Sequence, residues 1–202
     1  MKRKASMKNY QKIIEDIYID VKNIDDAGKV ANYIPELGTV SPDHFGINIT
    51  TIDKNYFGIG DYEKKFSIQS ISKILTLTLA YQLEGEKLWD RVDVEPSGNP
   101  FNSLLQLEAD KGIPRNPFIN AGAIVVCDVL ITHLKNPKKD FINFCREISN
   151  NPHINYDDKV AQSEKNTGFR NIALCNFIKS FGNIKNDIDV VLDFYFYTCS
   201  IA

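Results

Sequence analysis

Apolar residues fall at near-helical spacing in the stretch Asp16 to Tyr33: Ile14, Ile17, Val21 and Ile24 are followed by Val30 and Ala31, and Pro35 is expected to end the helix. The pattern then changes period. Phe45 to Ile52 alternates apolar and polar residues, Tyr56 to Ile59 repeats the alternation, and Asp53-Lys54-Asn55 between them is turn chemistry, which predicts a β-hairpin. From Ser67 onward the chain reads as helical. Ser70 to Leu83 is apolar nearly all round, the mark of a helix buried at the middle of a fold, and Gly85 ends it. Asp93 to Asn120 is loop punctuated by Pro and Gly, with a short helical run from Ser103 to Ala109. Further helices are expected over Ala121 to Leu134, Asp140 to Ser149 and Asn171 to Phe181. The last run, from Asp189 to Ala202, is strongly apolar and carries no polar tail. One hairpin alone is a marginal sheet, so the chain is expected to be a domain lacking its last part.

Composition narrows the class. The 202 residues are 43% hydrophobic and 25% charged, as in an ordinary globular protein. Lys and Arg number 24 against 26 Asp and Glu, a net charge of −2, so no basic footprint for nucleic acid or an anionic membrane is present. The basic cluster Lys2, Arg3, Lys4 and Lys8 has no apolar stretch behind it and is expected to be part of a flexible tail over residues 1–9. No window reaches the ~18 apolar residues of a membrane span. The 4 cysteines, Cys127, Cys145, Cys175 and Cys199, are far apart and make no CxxC pair. They are expected to be reduced core thiols in the cytoplasm, and neither a metal nor a cofactor is expected.

Candidate chemistry sits at Ser70-Ile-Ser-Lys73. A hydroxyl and an amine at i and i+3 share one helix face. A lysine on so apolar a helix is desolvated, which lowers its pKa and lets it take the serine proton. The plain alternative is a capping serine and a lysine whose head snorkels to water. Penicillin-binding proteins and β-lactamases use SxxK, together with SxN and KTG elements. Ser97-Gly98-Asn99 has the SxN shape but follows Ser70 too closely, and Lys165-Asn166-Thr167-Gly168 carries an inserted Asn in a helical neighbourhood. A penicillin-recognising hydrolase is therefore a poor fit.

A set of blocks in order is more specific. Gly28-Lys-Val-Ala-Asn-Tyr33-Ile-Pro-Glu-Leu, Phe66-Ser-Ile-Gln-Ser70-Ile-Ser-Lys73, Glu95-Pro-Ser-Gly98, Asn116-Pro-Phe-Ile-Asn120-Ala-Gly-Ala-Ile124, Ser163-Glu164-Lys-Asn-Thr-Gly168-Phe-Arg-Asn171 and Asp193-Phe-Tyr195-Phe-Tyr-Thr-Cys199-Ser-Ile together resemble the serine-dependent glutaminase family. The resemblance implies an α+β, β-lactamase/transpeptidase-like fold, a helical cluster beside an antiparallel sheet. It implies one glutaminase domain over residues 1–202, hydrolysing L-glutamine to L-glutamate and ammonia through a serine ester and working as a homo-oligomer. Carried over by motif, Ser70 is the nucleophile and Lys73 its base. Tyr33, Ser70, Asn120, Glu164, Asn171 and Tyr195 line the substrate pocket. Glu164 would face the α-ammonium, Asn120 and Asn171 the carboxylate or ammonium, and the Ser70 N–H the acyl oxyanion.

Each of these residues also has a structural reading. Asn120 can cap a helix, Glu164 can be an exposed helical carboxylate, and Tyr195 can be core packing among Phe194, Phe196 and Tyr197. Family members continue past the Cys-Ser-Ile block, with further strands, another active-site tyrosine and a late oxyanion contact. The Asp53-Lys54-Asn55 turn lacks the family's usual Gly. A catalytically inactive fragment that serves only as a binding or assembly partner is the alternative function.

Overall fold

The computed structural model describes residues 9–24, 28–98 and 104–202. The basic cluster at Lys2, Arg3, Lys4 and Lys8, and Asn99 of the SxN-shaped triplet, lie outside the described residues. Two compact units make up the chain, Met1–Lys65 and Phe66–Ala202.

In the first unit, helix α1 spans Tyr10–Lys22 and α2 spans Pro35–Gly38. The helix expected over Asp16 to Tyr33 thus starts and stops earlier. The Asn9 side chain accepts from Lys12 N at 3.1 Å and closes the first turn, while Gln11–Glu15 and Lys12–Asp16 pairs support the next. Val30 and Ala31 are not helical. Pro35 does not end a helix but begins one, at the position where its missing N–H is no loss. The hairpin is present: β1 (Gly46–Thr50) pairs antiparallel with β2 (Tyr56–Gly60), Ile47 opposite Ile59 and Ile49 opposite Phe57. Helix α1 packs on this ribbon through Tyr18, stacked on Phe45 at 5.1 Å, and Tyr10, tilted against Phe57 at 5.6 Å. Lys54 closes the turn at φ 63, in the left-handed region.

The second unit is a helical cluster. Its elements are α3 (Ser72–Glu84), α4 (Leu104–Ala109), α5 (Asn120–His133), α6 (Pro137–Ser149), α7 (Asp158–Thr167), α8 (Phe169–Ser180) and α9 (Ile188–Cys199). Gly85 ends α3 at φ 63, as its freedom allows. The expected helices over the α5, α6 and α8 regions are present, with α6 opening early because Pro137 suits a first turn. The final run is also a helix. Asp187 caps it, accepting from Asp189 N and Val190 N at 2.9 and 3.2 Å. After α9, Asp157 N donates to Ser200 O, Asn155 and Ala202 exchange backbone bonds, and Ile68 N donates to Ile201 O at 2.8 Å.

The helix at the middle is α5, not α3. Every residue from Ala121 to Leu130 is buried, and α3, α8 and α9 pack around it. On α3 the buried set is Ser72, Lys73, Thr76, Leu79 and Ala80, whereas Ile74 is 56% exposed and Ile71, in the 3-10 turn before it, 58%. The inward face of α3 thus carries Ser72, Lys73 and Thr76, and isoleucines face outward. An apolar count along α3 does not register which face that is.

A polar network pins the loop before α9. The wholly buried Asp128 accepts from Arg91 Nη2 (2.6 Å), Lys185 N (3.0 Å) and Asn186 N (2.8 Å). Burial alone would raise this carboxyl, but the Lys185, Arg91 and Asn186 donors hold it below its ordinary value. Asn183 adds bonds to Arg91 and Gly112. The 4 cysteines are unpaired and buried. Among the described residues no helix is long and apolar enough to cross a membrane, and no group of three or more His, Cys, Asp or Glu could hold a metal ion.

Candidate active site

Ser70 lies in the 3-10 turn Gln69–Ile71 that leads into α3. It is exposed, and its hydroxyl takes no hydrogen bond among the described residues. Gln69 beside it holds φ 46, a strained value for a residue with a side chain, of the kind that collects at functional turns. One turn on, Lys73 is only 5% exposed. Its Nζ donates to Asn120 Oδ1 at 2.8 Å and to the Phe118 carbonyl at 2.9 Å. Lys73 therefore does not snorkel, and the cap of α3 falls on Ile71, not Ser70. Burial pulls the Lys73 ammonium below its ordinary pKa, opposed by the neighbouring Cys199 and Cys127 thiols.

Asn120 is the first helical residue of α5, one place beyond the cap position, and makes no capping bond. Its side chain instead joins the site: Oδ1 accepts from Lys73, and Nδ2 donates to Asn171 Oδ1 at 3.1 Å. Asn171 comes from the first turn of α8. The bridge thus gathers side chains from α3, α5 and α8.

Glu164 on α7 is 6% exposed, and its carboxylate has no hydrogen bond or ion pair among the described residues. The exposed-carboxylate reading does not hold. Burial pushes its pKa up to about 7. Its charge and that of Lys73 act in opposite senses on the Cys199 thiol. Tyr195 is 4% exposed on α9, its ring 5.7 Å from that of Phe196. Tyr33 is in the first unit, 62% exposed just ahead of α2. Lys165 and Thr167 are in helix α7, where a KTG strand cannot be. Residue types alone did not single out the Phe118 carbonyl or the Asp128 network, since a backbone acceptor and a loop lock have no compositional mark.

Fold and site define an α+β chain of β-lactamase-like fold with a serine and a buried lysine one turn apart. A family model described as Glutaminase matches residues 28–202, and the chain belongs to that family. A glutaminase of Christiangramia forsetii is 55% identical over 194 residues, 96% of this chain and 64% of that protein. A solved probable glutaminase shares the fold with a TM-score of 0.88 at 30% identity, over 95% of this chain and 62% of that one. A crystal structure of Mglu in its glutamate form gives a TM-score of 0.83 at 26% identity, over 92% of this chain and 43% of that one. The chain thus spans less than two thirds of the length of these relatives.

Proposed function

We propose that this chain carries the serine site of a glutaminase and hydrolyses L-glutamine to L-glutamate and ammonia. The observation that carries the reading is the half-buried Lys73–Asn120–Asn171 bridge, in which three motif residues from separate helices meet. Desolvation favours the neutral amine, which takes the Ser70 proton as Oγ attacks the side-chain amide carbon. The amide nitrogen leaves with a proton as ammonia, and water then cleaves the glutamyl ester and restores the serine. Ser70, Asn120, Asn171, Tyr195 and Glu164 of the second unit serve as substrate contacts. Glu164 is suited to an α-ammonium because it is buried and has no ion pair among the described residues. The glutamate form of Mglu agrees with a pocket for this amino-acid product. The reading includes one functional domain, a cytoplasmic setting consistent with unpaired thiols, and assembly of copies into a homo-oligomer.

The test is labelling by a glutamine analogue with an electrophilic side-chain carbon, read by intact mass and peptide mapping, alongside ammonia release from glutamine. The adduct is expected on Ser70 and absent in Ser70→Ala. Ammonia release by Ser70→Ala at the wild-type rate overturns the mechanism. A second reading, a partner without turnover, is favoured by the exposed Ile71 and Ile74 beside Ser70. Neither labelling nor ammonia release from the wild-type chain would select it.

A further inference from the structure

We propose that Asn116 is a positioning residue for Lys73: its side chain fixes the turn that presents the Phe118 carbonyl to the lysine amine. The inference rests on the reading of Lys73 as the base and extends it to a residue outside the substrate contacts. Asn116 Oδ1 accepts from Phe118 N at 3.0 Å and from Ile119 N at 3.1 Å, which folds the chain back over its own side chain. Asn116 Nδ2 donates to Glu95 O at 2.9 Å, tying this turn to the preceding loop. That loop is held in turn by Asp93 N on Pro114 O and Glu95 N on Arg115 O, at 2.8 and 2.7 Å. The far side is equally fixed. A Cβ on Gly122 would stand 2.0 Å from Asn116 O, so the turn lies directly against the first turn of α5. The carbonyl reaching Lys73 Nζ at 2.9 Å is thus immobilised from three directions.

Two features of its surroundings bear on the amine. Asn120, one place past the cap of α5, keeps its side chain for Lys73 and Asn171. Phe118 O and Asn120 Oδ1 are neutral acceptors, which favour the charged amine less than a carboxylate in their place would. Among the titratable groups that act on Lys73 are the Cys127 thiol of α5 and the Cys199 thiol of α9, and Glu164 of α7 acts on the same Cys199.

The test uses the full chain with lysines labelled by 13C at Cε, the Lys73 signal identified by its loss in Lys73→Arg. In the wild type Lys73 is expected to titrate below the other lysines. In Asn116→Ala the loosened carbonyl stabilises the ammonium less, and the midpoint is expected to fall further, by roughly half a pH unit or more. Asn116→Asp keeps the acceptor for both N–H groups and adds a negative charge, so its midpoint is expected to rise. Opposite shifts support the inference. An unmoved midpoint in both variants, with only the melting temperature lowered, overturns it and reduces Asn116 to a structural role. Should Asn116→Ala fail to fold, the Asp variant decides alone, a midpoint unmoved or lowered being the overturning result. A wild-type Lys73 that titrates with the other lysines removes the base reading itself, and this inference with it.

Discussion

Lys73 and Asn120, 47 residues apart, meet at 2.8 Å where each forgoes its ordinary use. The lysine does not reach for water, and the asparagine does not cap its helix. A lysine head drawn out of water loses several kcal/mol of hydration unless acceptors replace it, and here a side-chain amide and a backbone carbonyl do so. The site is thereby built into the packing of α3 on α5.

Glu164 makes stability depend on pH in an identifiable direction. Its folded pKa of about 7 lies well above the ordinary value of a glutamate carboxyl, so the folded state holds a proton that the unfolded chain releases. That contribution is whole below the unfolded value and is lost as pH rises to about 7, with a total on the order of 3 kcal/mol. Urea unfolding should show Glu164→Gln more stable than wild type at pH 8 and nearly equal to it at pH 4. Equal stability at both values would show that the carboxylate is solvated.

Asp128 has the opposite sign. Its carboxyl is held below its ordinary value, so it stabilises the fold above that range, and the effect fades as pH falls through the folded pKa. Asp128→Ala strips partners from Arg91, Lys185 N and Asn186 at once and is expected to cost about 3 kcal/mol. Denaturant titration at pH 7 measures this, and a loss below about 1 kcal/mol would show that the loop re-pairs without it.

Gly122→Ala adds one methyl group where two backbone segments already touch, 2.0 Å from Asn116 O. The gain in helix propensity, up to about 1 kcal/mol, is outweighed by strain of roughly 1–3 kcal/mol. Faster amide exchange at Phe118 and Ile119, with a lowered melting temperature, is the expected record. A raised melting temperature would contradict it.

The hairpin turn is open to improvement. Lys54 sits at φ 63, a region that costs a residue with a Cβ about 1–2 kcal/mol. Lys54→Gly relieves this and pays back part in chain entropy, for a net gain on the order of 0.5 kcal/mol. Thermal unfolding of the pair checks the sign.

The hairpin was legible because its causes are local: alternation through Ile47 and Ile49, then a three-residue polar turn. Motif order drew Lys73, Asn120 and Asn171 together on the sequence, and these three side chains do meet. The orientation of α3 was not legible, since Ile74 outward and Thr76 inward reflect which face meets α5. Helix α1 was misplaced because Asn9, a cap before the first apolar residue, weighs more than the later Val30 and Ala31. Asn120 reads as a cap on residue type alone, but α5 begins one residue earlier than that reading needs, with Ile119 at the cap position.

The unpaired cysteines turn the fold into its own clock. Cys127 and Cys199 are buried, and burial pushes the Cys199 thiol up to about 12, that of Cys145 to about 11 and that of Cys175 to about 12. Thiolate, the form that an alkylating reagent attacks, is therefore scarce in the native state as well as shielded. Each label incorporated marks an opening of the second unit, and counting labels per molecule by mass distinguishes a helix that frays alone from one that leaves with the rest.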